Sequence, residues 1–254
     1  MKKIIALVAI LFSVVVPVQA QADTKSLVII DSYFQSNVAL NPITPSGTSC
    51  PQTAPISGAL ASSPYNHGTA MYAVAKLQNP ALNIIAICGA NAKTEMTPAQ
   101  FISSLQWVEK NASMVKAVSF SRYFNHATKP CMPIASAPWT PDTADKEIKR
   151  IITVLKQKGI LVFASTGNDK AKPVNYPACI VDTASVVHAN EVGSALGQFN
   201  ADTDYFVKIS DDGSKFSYST TIGLVAHTSS SATAALAAMW SSDAVTSKIV
   251  KAAA

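Results

Sequence analysis

Gly223-Leu224-Val225-Ala226-His227-Thr228-Ser229-Ser230-Ser231-Ala232-Thr233-Ala234-Ala235-Leu236-Ala237-Ala238-Met239-Trp240, near the end of a chain of 254 residues, decides how the rest is read. Hydroxyl side chains at Thr228 to Ser231 give way to an uncharged run of Ala, Leu, Met and Trp. Ser and Thr cap helix N-termini well, and Ala, Leu and Met are strong helix formers. The stretch predicts a helix that begins among the serines and, being apolar on every side, lies in the middle of the fold. A hydroxyl at such a start feels the positive end of the helix dipole, which favours an anion forming beside it. That suits a nucleophilic serine. An ordinary capped core helix carries the same signature, so the remainder of the chain has to discriminate.

Upstream, short apolar runs alternate with helical patterns. Ser26 to Ile30 reads as a buried strand ending at Asp31, and α/β folds place functional groups at the carboxyl ends of such strands. A turn or cap aspartate would look the same in isolation. Asn37 to Tyr65, rich in Pro, Ser, Gly and Thr, reads as a long loop. Asn66-His67-Gly68-Thr69 then introduces the helical run Ala70 to Leu77, and Asn83 to Cys88 is a second strand. Thr97-Pro98 opens a helix with Phe101, Ile102, Leu105, Trp107 and Val108 at helical spacing. Lys116 to Ser121 is a third strand, followed by a loop from Arg122 to Pro141. Asp145 to Lys158 is an amphipathic helix that Gly159 terminates. Ile160 to Ala164 is a fourth strand running into Ser165-Thr166-Gly167-Asn168-Asp169. Tyr176-Pro177-Ala178-Cys179 is a turn, Val181 to His188 resumes as strand, and the pattern weakens between Gly193 and Lys215. The alternation predicts an α/β fold of three layers, with helices on both faces of a mostly parallel sheet.

Composition bounds the rest. With 48% hydrophobic and 14% charged residues, the chain forms one sizeable core and a single domain over 23–254. Residues 1–22 read as a secretory signal peptide: Lys2 and Lys3, the apolar run Ile4 to Val16, then Val18-Gln19-Ala20, with cleavage after Ala20 or Ala22. The apolar run is short for a bilayer and no later stretch qualifies, so no membrane span is expected. The mature protein is expected to be exported, periplasmic or secreted. Loss of Lys2 and Lys3 takes the formal charge from +5 to +3, and the scattered bases give no support for nucleic-acid binding.

Cys50, Cys88, Cys131 and Cys179 have no zinc-like spacing, and in an oxidising compartment an even count points to disulfides whose pairing the sequence leaves open. Asp202, Asp204, Asp211 and Asp212 lack an EF-hand pattern and read as turns, so neither metal nor cofactor is expected. The sequon Asn111-Ala112-Ser113 reads as a helix end, and His126 and His188 have no ligand-like company.

Asp31, His67, Asn168 and Ser229 follow in that order, each at a strand or helix end. Acyl transfer needs a nucleophilic hydroxyl, an imidazole to take its proton, a carboxylate to fix the imidazole tautomer, and donors for the oxyanion. Ile29-Ile30-Asp31-Ser32, Asn66-His67-Gly68-Thr69, Ala164 to Asp169, Tyr176-Pro177-Ala178 and Thr228-Ser229 with its alanine-rich helix together resemble the motifs of subtilisin-like serine proteases, in the family's order. The resemblance runs from about Leu27 to Trp240. It implies Ser229 as nucleophile, His67 as general base and acid, Asp31 as its orienting carboxylate, and Asn168 with the Ser229 N–H as the oxyanion hole. It further implies substrate contacts at Ser119, Phe120, Ser121, Ala164, Ser165, Thr166 and Gly167. It implies a cis bond at Tyr176–Pro177 and places Cys131 and Cys179 around the specificity pocket. With Cys50 in the loop between Asp31 and His67 and Cys88 at a strand end beside the expected cleft, the expected disulfides are Cys50–Cys88 and Cys131–Cys179.

Several positions depart from the family pattern. Tyr33 and Ala70 replace a glycine and a second histidine, and Ser119-Phe120-Ser121-Arg122 lacks the glycine of the substrate-binding strand. His227, Ser230-Ser231 and Thr233 stand where the nucleophile motif usually has Gly, Met-Ala and Pro. Few residues separate the signal peptide from the first strand, so the family's propeptide is not expected. The reading is an exported serine endopeptidase acting on protein or peptide substrates, with control by a separate inhibitor or regulatory partner as one consequence of that economy. The alternative is a catalytically silent binding protein on the same fold.

Overall fold

The computed structural model describes residues 25–32, 34, 43–44, 67–90, 96–122, 142–168, 174–189, 203–208, 229–242 and 249–251, with the backbone alone at 90, 189, 206, 208, 229 and 249–251. The expected signal peptide, Cys50, Cys131, His126, Asp202, Asp211, Asp212 and His227 lie outside the described residues.

In chain order the elements are β1 (Ser26–Ser32), α1 (His67–Gln78), β2 (Ile84–Ala90), α2 (Pro98–Lys110), β3 (Val115–Phe120), α3 (Thr143–Gln157), β4 (Leu161–Ser165), β5 (Ala184–Ala189), β6 (Tyr205–Lys208), α4 (Ser229–Ser241) and β7 (Ile249–Lys251). They build a seven-stranded sheet of order β2-β1-β3-β4-β5-β6-β7, parallel except for the last pair. The three-layer arrangement expected from the alternating pattern is the one observed. β1 is apolar without alternation because both of its faces are covered. Leu27 and Ile29 pack with α1 and α4, whereas Val28 and Ile30 pack with α2 and α3.

Each helix follows from local chemistry. Thr97 caps α2 in a capping box with Gln100, each side chain bonding the other's backbone N–H at 3.2 and 2.8 Å. Asp142 and Asp145 do the same for α3, which therefore begins two residues before the Asp145 start expected from periodicity. Ile148, Ile151, Ile152 and Leu155 of α3 have no exposed surface, and burial of each is worth about 1.5–3 kcal/mol. Packing, rather than the exposed ion pairs of Arg150 with Glu109 and Glu147, therefore holds α3 to the sheet. The helix ends in a Schellman motif. The Gly159 N–H donates to Lys156 O and the Ile160 N–H to Leu155 O, both at 2.9 Å, with Gly159 at φ 77°.

Three features differ from expectation. Ile43 lies within the stretch read as a loop, yet it forms a parallel bridge to Ile87 and extends the sheet beyond β2. β5 begins at Ala184 rather than Val181, because Val181 to Thr183 complete the turn after Pro177. β7, three residues long, is too short to leave a periodic signature. The Tyr176–Pro177 bond is cis, as expected. Cys88 and Cys179 are each held in a disulfide.

α4 occupies the central place that its composition implies. Its described side chains from Ser230 to Met239 are all buried, and it packs beside α1 and across β3, β4 and β5. Near its end the Trp240 ring lies 5.9 Å from that of Phe163 on β4.

Candidate active site

The strand order reverses at β1. The chain runs β1, α1, β2 to one side and returns through α2 to β3 on the other, with α1 and α2 on opposite faces. Such a switch point opens a crevice outside the carboxyl ends of the two strands. Asp31 and Ser121 stand there, each one residue beyond the paired Ile30 and Phe120.

Asp31 has no exposed surface, and its carboxylate is partnered from two directions. The Ser32 N–H donates to Oδ1 at 2.6 Å, and His67 Nδ1 lies 3.0 Å from Oδ1 and 2.9 Å from Oδ2. A carboxylate only accepts, so Nδ1 carries the proton and the neutral ring keeps its Nε2 lone pair free to act as a base. The His67 side chain retains 24% of its surface, so the imidazole bridges a buried charge and the cleft.

Ser229 is brought to the same end of the sheet by helix packing. α1 and α4 lie side by side, and Asn79 Nδ2 just past the end of α1 donates to Ser242 Oγ just past the end of α4, at 2.9 Å. The helices contain 12 and 13 residues, hence about 18 and 20 Å of rise, so their first residues, His67 and Ser229, return to one level. A second tie fixes the start of α4. Ser230 Oγ donates to Ser121 O and Ser121 Oγ donates to Ser230 O, both at 3.0 Å. The expected contact between His67 and the Ser229 hydroxyl involves a side chain outside those described.

Asn168 is exposed three residues beyond β4, after Gly167 at φ 111°, a conformation that a side chain would strain. The loop below it is anchored: Thr166 donates from both its backbone N–H and its hydroxyl to Val186 O at 3.0 and 3.1 Å.

The seven expected substrate-contact positions, Ser119 to Ser121 and Ala164 to Gly167, are buried. The Phe120 ring sits 4.2 Å from Phe101, and Ala164 belongs to the same core beneath α2 and α3; both residues are fully buried, so neither side chain reaches the cleft. Asp204 is engaged structurally: its Oδ2 accepts from the Ser185 N–H and hydroxyl at 2.8 and 2.9 Å. Asn111 caps α2, its Nδ2 donating to Trp107 O at 2.7 Å. Among the described residues no group of three or more His, Cys, Asp or Glu could hold a metal, and no helix is long and apolar enough to cross a membrane. The exchange between Ser121 and Ser230 was not legible beforehand; two serines 109 positions apart carry no sequence signal.

With this geometry in view, residues 48–252 match the model of the subtilase family. The chain belongs to that family, the subtilisin-like serine proteases. Asp31 lies upstream of the matched span, so its place beside His67 is given by the structure alone. Solved structures with a similar fold include the prenylagaramide maturation protease PagA, at 11% identity and TM-score 0.53 over 85% of this chain and 74% of that one. A point mutant of the protease domain of PatA matches at 12% and 0.56 over 85% and 78%. The epidermin leader peptide processing protease EpiP from Staphylococcus aureus matches at 12% and 0.57 over 87% and 65%. At such identities the likeness is one of fold. Among curated proteins none matches.

Proposed function

We propose that this subtilase is an exported serine endopeptidase in which Ser229 is the nucleophile, His67 the general base and acid, and Asp31 the carboxylate that orients His67. The observation that carries the reading is the contact of His67 Nδ1 with both oxygens of the buried Asp31. That contact fixes the tautomer in which Nε2 takes a proton.

The Ser229 hydroxyl attacks the scissile carbonyl while Nε2 of His67 takes its proton. The resulting oxyanion is held by the Ser229 N–H and the Asn168 amide, and the helix start adds its positive potential. His67 then returns the proton to the leaving amine as the carbon–nitrogen bond breaks, leaving an ester on Ser229. Water attacks that ester as His67 accepts its proton, and His67 passes that proton to Ser229 Oγ as the ester carbon–oxygen bond breaks, which frees the acid and restores the serine. Asp31 stays ionised throughout and stabilises the imidazolium formed at each step.

Export follows from the basic, apolar and small-residue segments of residues 1–22, and an oxidising compartment agrees with Cys88 and Cys179 being disulfide-bonded. The pairing proposed is Cys50–Cys88 and Cys131–Cys179.

Incubating the mature protein with a diverse peptide library and with matched esters tests the activity. An endopeptidase yields internal peptide cuts. Turnover of esters alone would make the protein an esterase. If neither is cleaved while an exported partner binds, the chain is a silent binding module.

A further inference from the structure

Ser121 and Ser230 exchange hydrogen bonds. Each hydroxyl donates to the other's backbone carbonyl at 3.0 Å, and both residues are buried, at 5% and 6% exposure. One partner is the first residue past β3, and the other is the second residue of α4. The exchange therefore joins the carboxyl end of the strand beside Asp31 to the helical turn that opens with Ser229.

A turn at a helix start is held on one side only. Its leading N–H groups have no partner within the helix, and the turn is free to fray or rotate unless something outside pins it. Successive residues in a helix are rotated by a fixed angle, so fixing Ser230 against β3 also fixes the direction in which Ser229 leaves the axis. Two opposed bonds resist both rotation and sliding of that turn, whereas a single bond would leave a pivot. Nucleophilic attack is sensitive to such slack: a misplacement of about 1 Å costs roughly 100-fold in rate.

We propose that Ser121 and Ser230 are positioning residues for the reaction, which lock the first turn of α4, and with it Ser229, against the end of β3 and thus against the Asp31–His67 pair. This rests on the protease reading above. Neither serine is assigned to proton transfer or to oxyanion binding.

The test compares the mature protein with Ser121→Ala, Ser230→Ala and the double variant, using a peptide substrate and a fluorophosphonate, with Ser229→Ala as the blank. The double variant should lose about 100-fold in kcat and in labelling rate, with KM changed less than about threefold, and each single variant should fall between it and the parent. Ser230→Thr, which keeps a hydroxyl, should recover most of the loss. The pH profile of kcat/KM should keep its acid limb, because the Asp31–His67 contact is untouched. Unchanged kcat and labelling in correctly folded variants would overturn the proposal, as would a shifted acid limb. Should the double variant fail to fold, the single variants decide in the same way, since each retains one of the two bonds. A parent protein that labels no faster than Ser229→Ala would instead overturn the protease reading, and this proposal with it.

Discussion

His67 Nδ1 lies within 3.0 Å of both carboxylate oxygens of Asp31, a side chain with no exposed surface. The two residues are 36 positions apart, one at the carboxyl end of β1 and the other at the first position of α1. A buried carboxylate is costly to keep charged unless it is hydrogen-bonded, and here the Ser32 N–H and the imidazole supply the bonds. The same bonds hold the ring in one tautomer.

Asp31→Asn therefore attacks catalysis through the imidazole. An amide in that place favours the opposite tautomer, with the proton on Nε2, and leaves no base facing the nucleophile. We expect kcat to fall about 10,000-fold with little change in KM. Steady-state kinetics on a peptide substrate checks this, and a loss under tenfold would contradict it.

Asn168→Ala removes a donor that acts mainly on the developing oxyanion. The loss should be about 100- to 1,000-fold in kcat, again with KM nearly constant. Steady-state kinetics on the same peptide substrate checks this, and an unchanged kcat would contradict it.

Tyr176 sets an alkaline limit on stability. Burial, with the nearby Asp145 and Asp142 carboxylates adding to it, pushes the phenol well above its ordinary value. The folded value exceeds the unfolded one, so the stabilisation is complete below the unfolded value of about 10 and is lost as pH rises towards the folded one. Urea midpoints should hold steady up to about pH 10 and decline above it. Tyr176→Phe should flatten that decline, leaving the smaller contribution of Tyr205, whose phenol is also raised by burial.

Peptide mapping without reduction should recover Cys88 joined to Cys50 and Cys179 joined to Cys131. Cys88 lies in register with Asp31 across β1 and β2, whereas Cys179 follows the cis Tyr176–Pro177 turn next to the opposite core. A peptide joining Cys88 to Cys131 would refute this pairing.

Much of the architecture was legible because each element carries its own physical signature. β1 shows as an unbroken apolar run, α3 as an amphipathic stripe, and α4 as hydroxyls followed by small apolar residues. Periodicity failed where context decides. β7 and the Ile43 bridge exist because a neighbouring strand offers hydrogen bonds, and the first turn of α3 exists because Asp142 and Asp145 cap each other. The site divides in the same way. Asp31 and His67 were readable only together, as element-end residues in ordered motifs that resemble those of the family, because either one alone also reads as a turn, cap or surface residue. Phe120 and Ala164 were expected at the substrate, but their side chains pack beneath α2 and α3, because alternate residues of a buried strand face opposite layers. The Ser121–Ser230 exchange depends on a contact between distant segments, which no local pattern announces.

The most direct test of the central claim is covalent labelling of the mature protein with a fluorophosphonate, followed by mapping of the modified peptide. The account predicts one adduct, on Ser229, that disappears in Ser229→Ala and forms far more slowly in Asp31→Asn. Absence of an adduct on the folded protein, or an adduct on another residue that persists in Ser229→Ala, would contradict it.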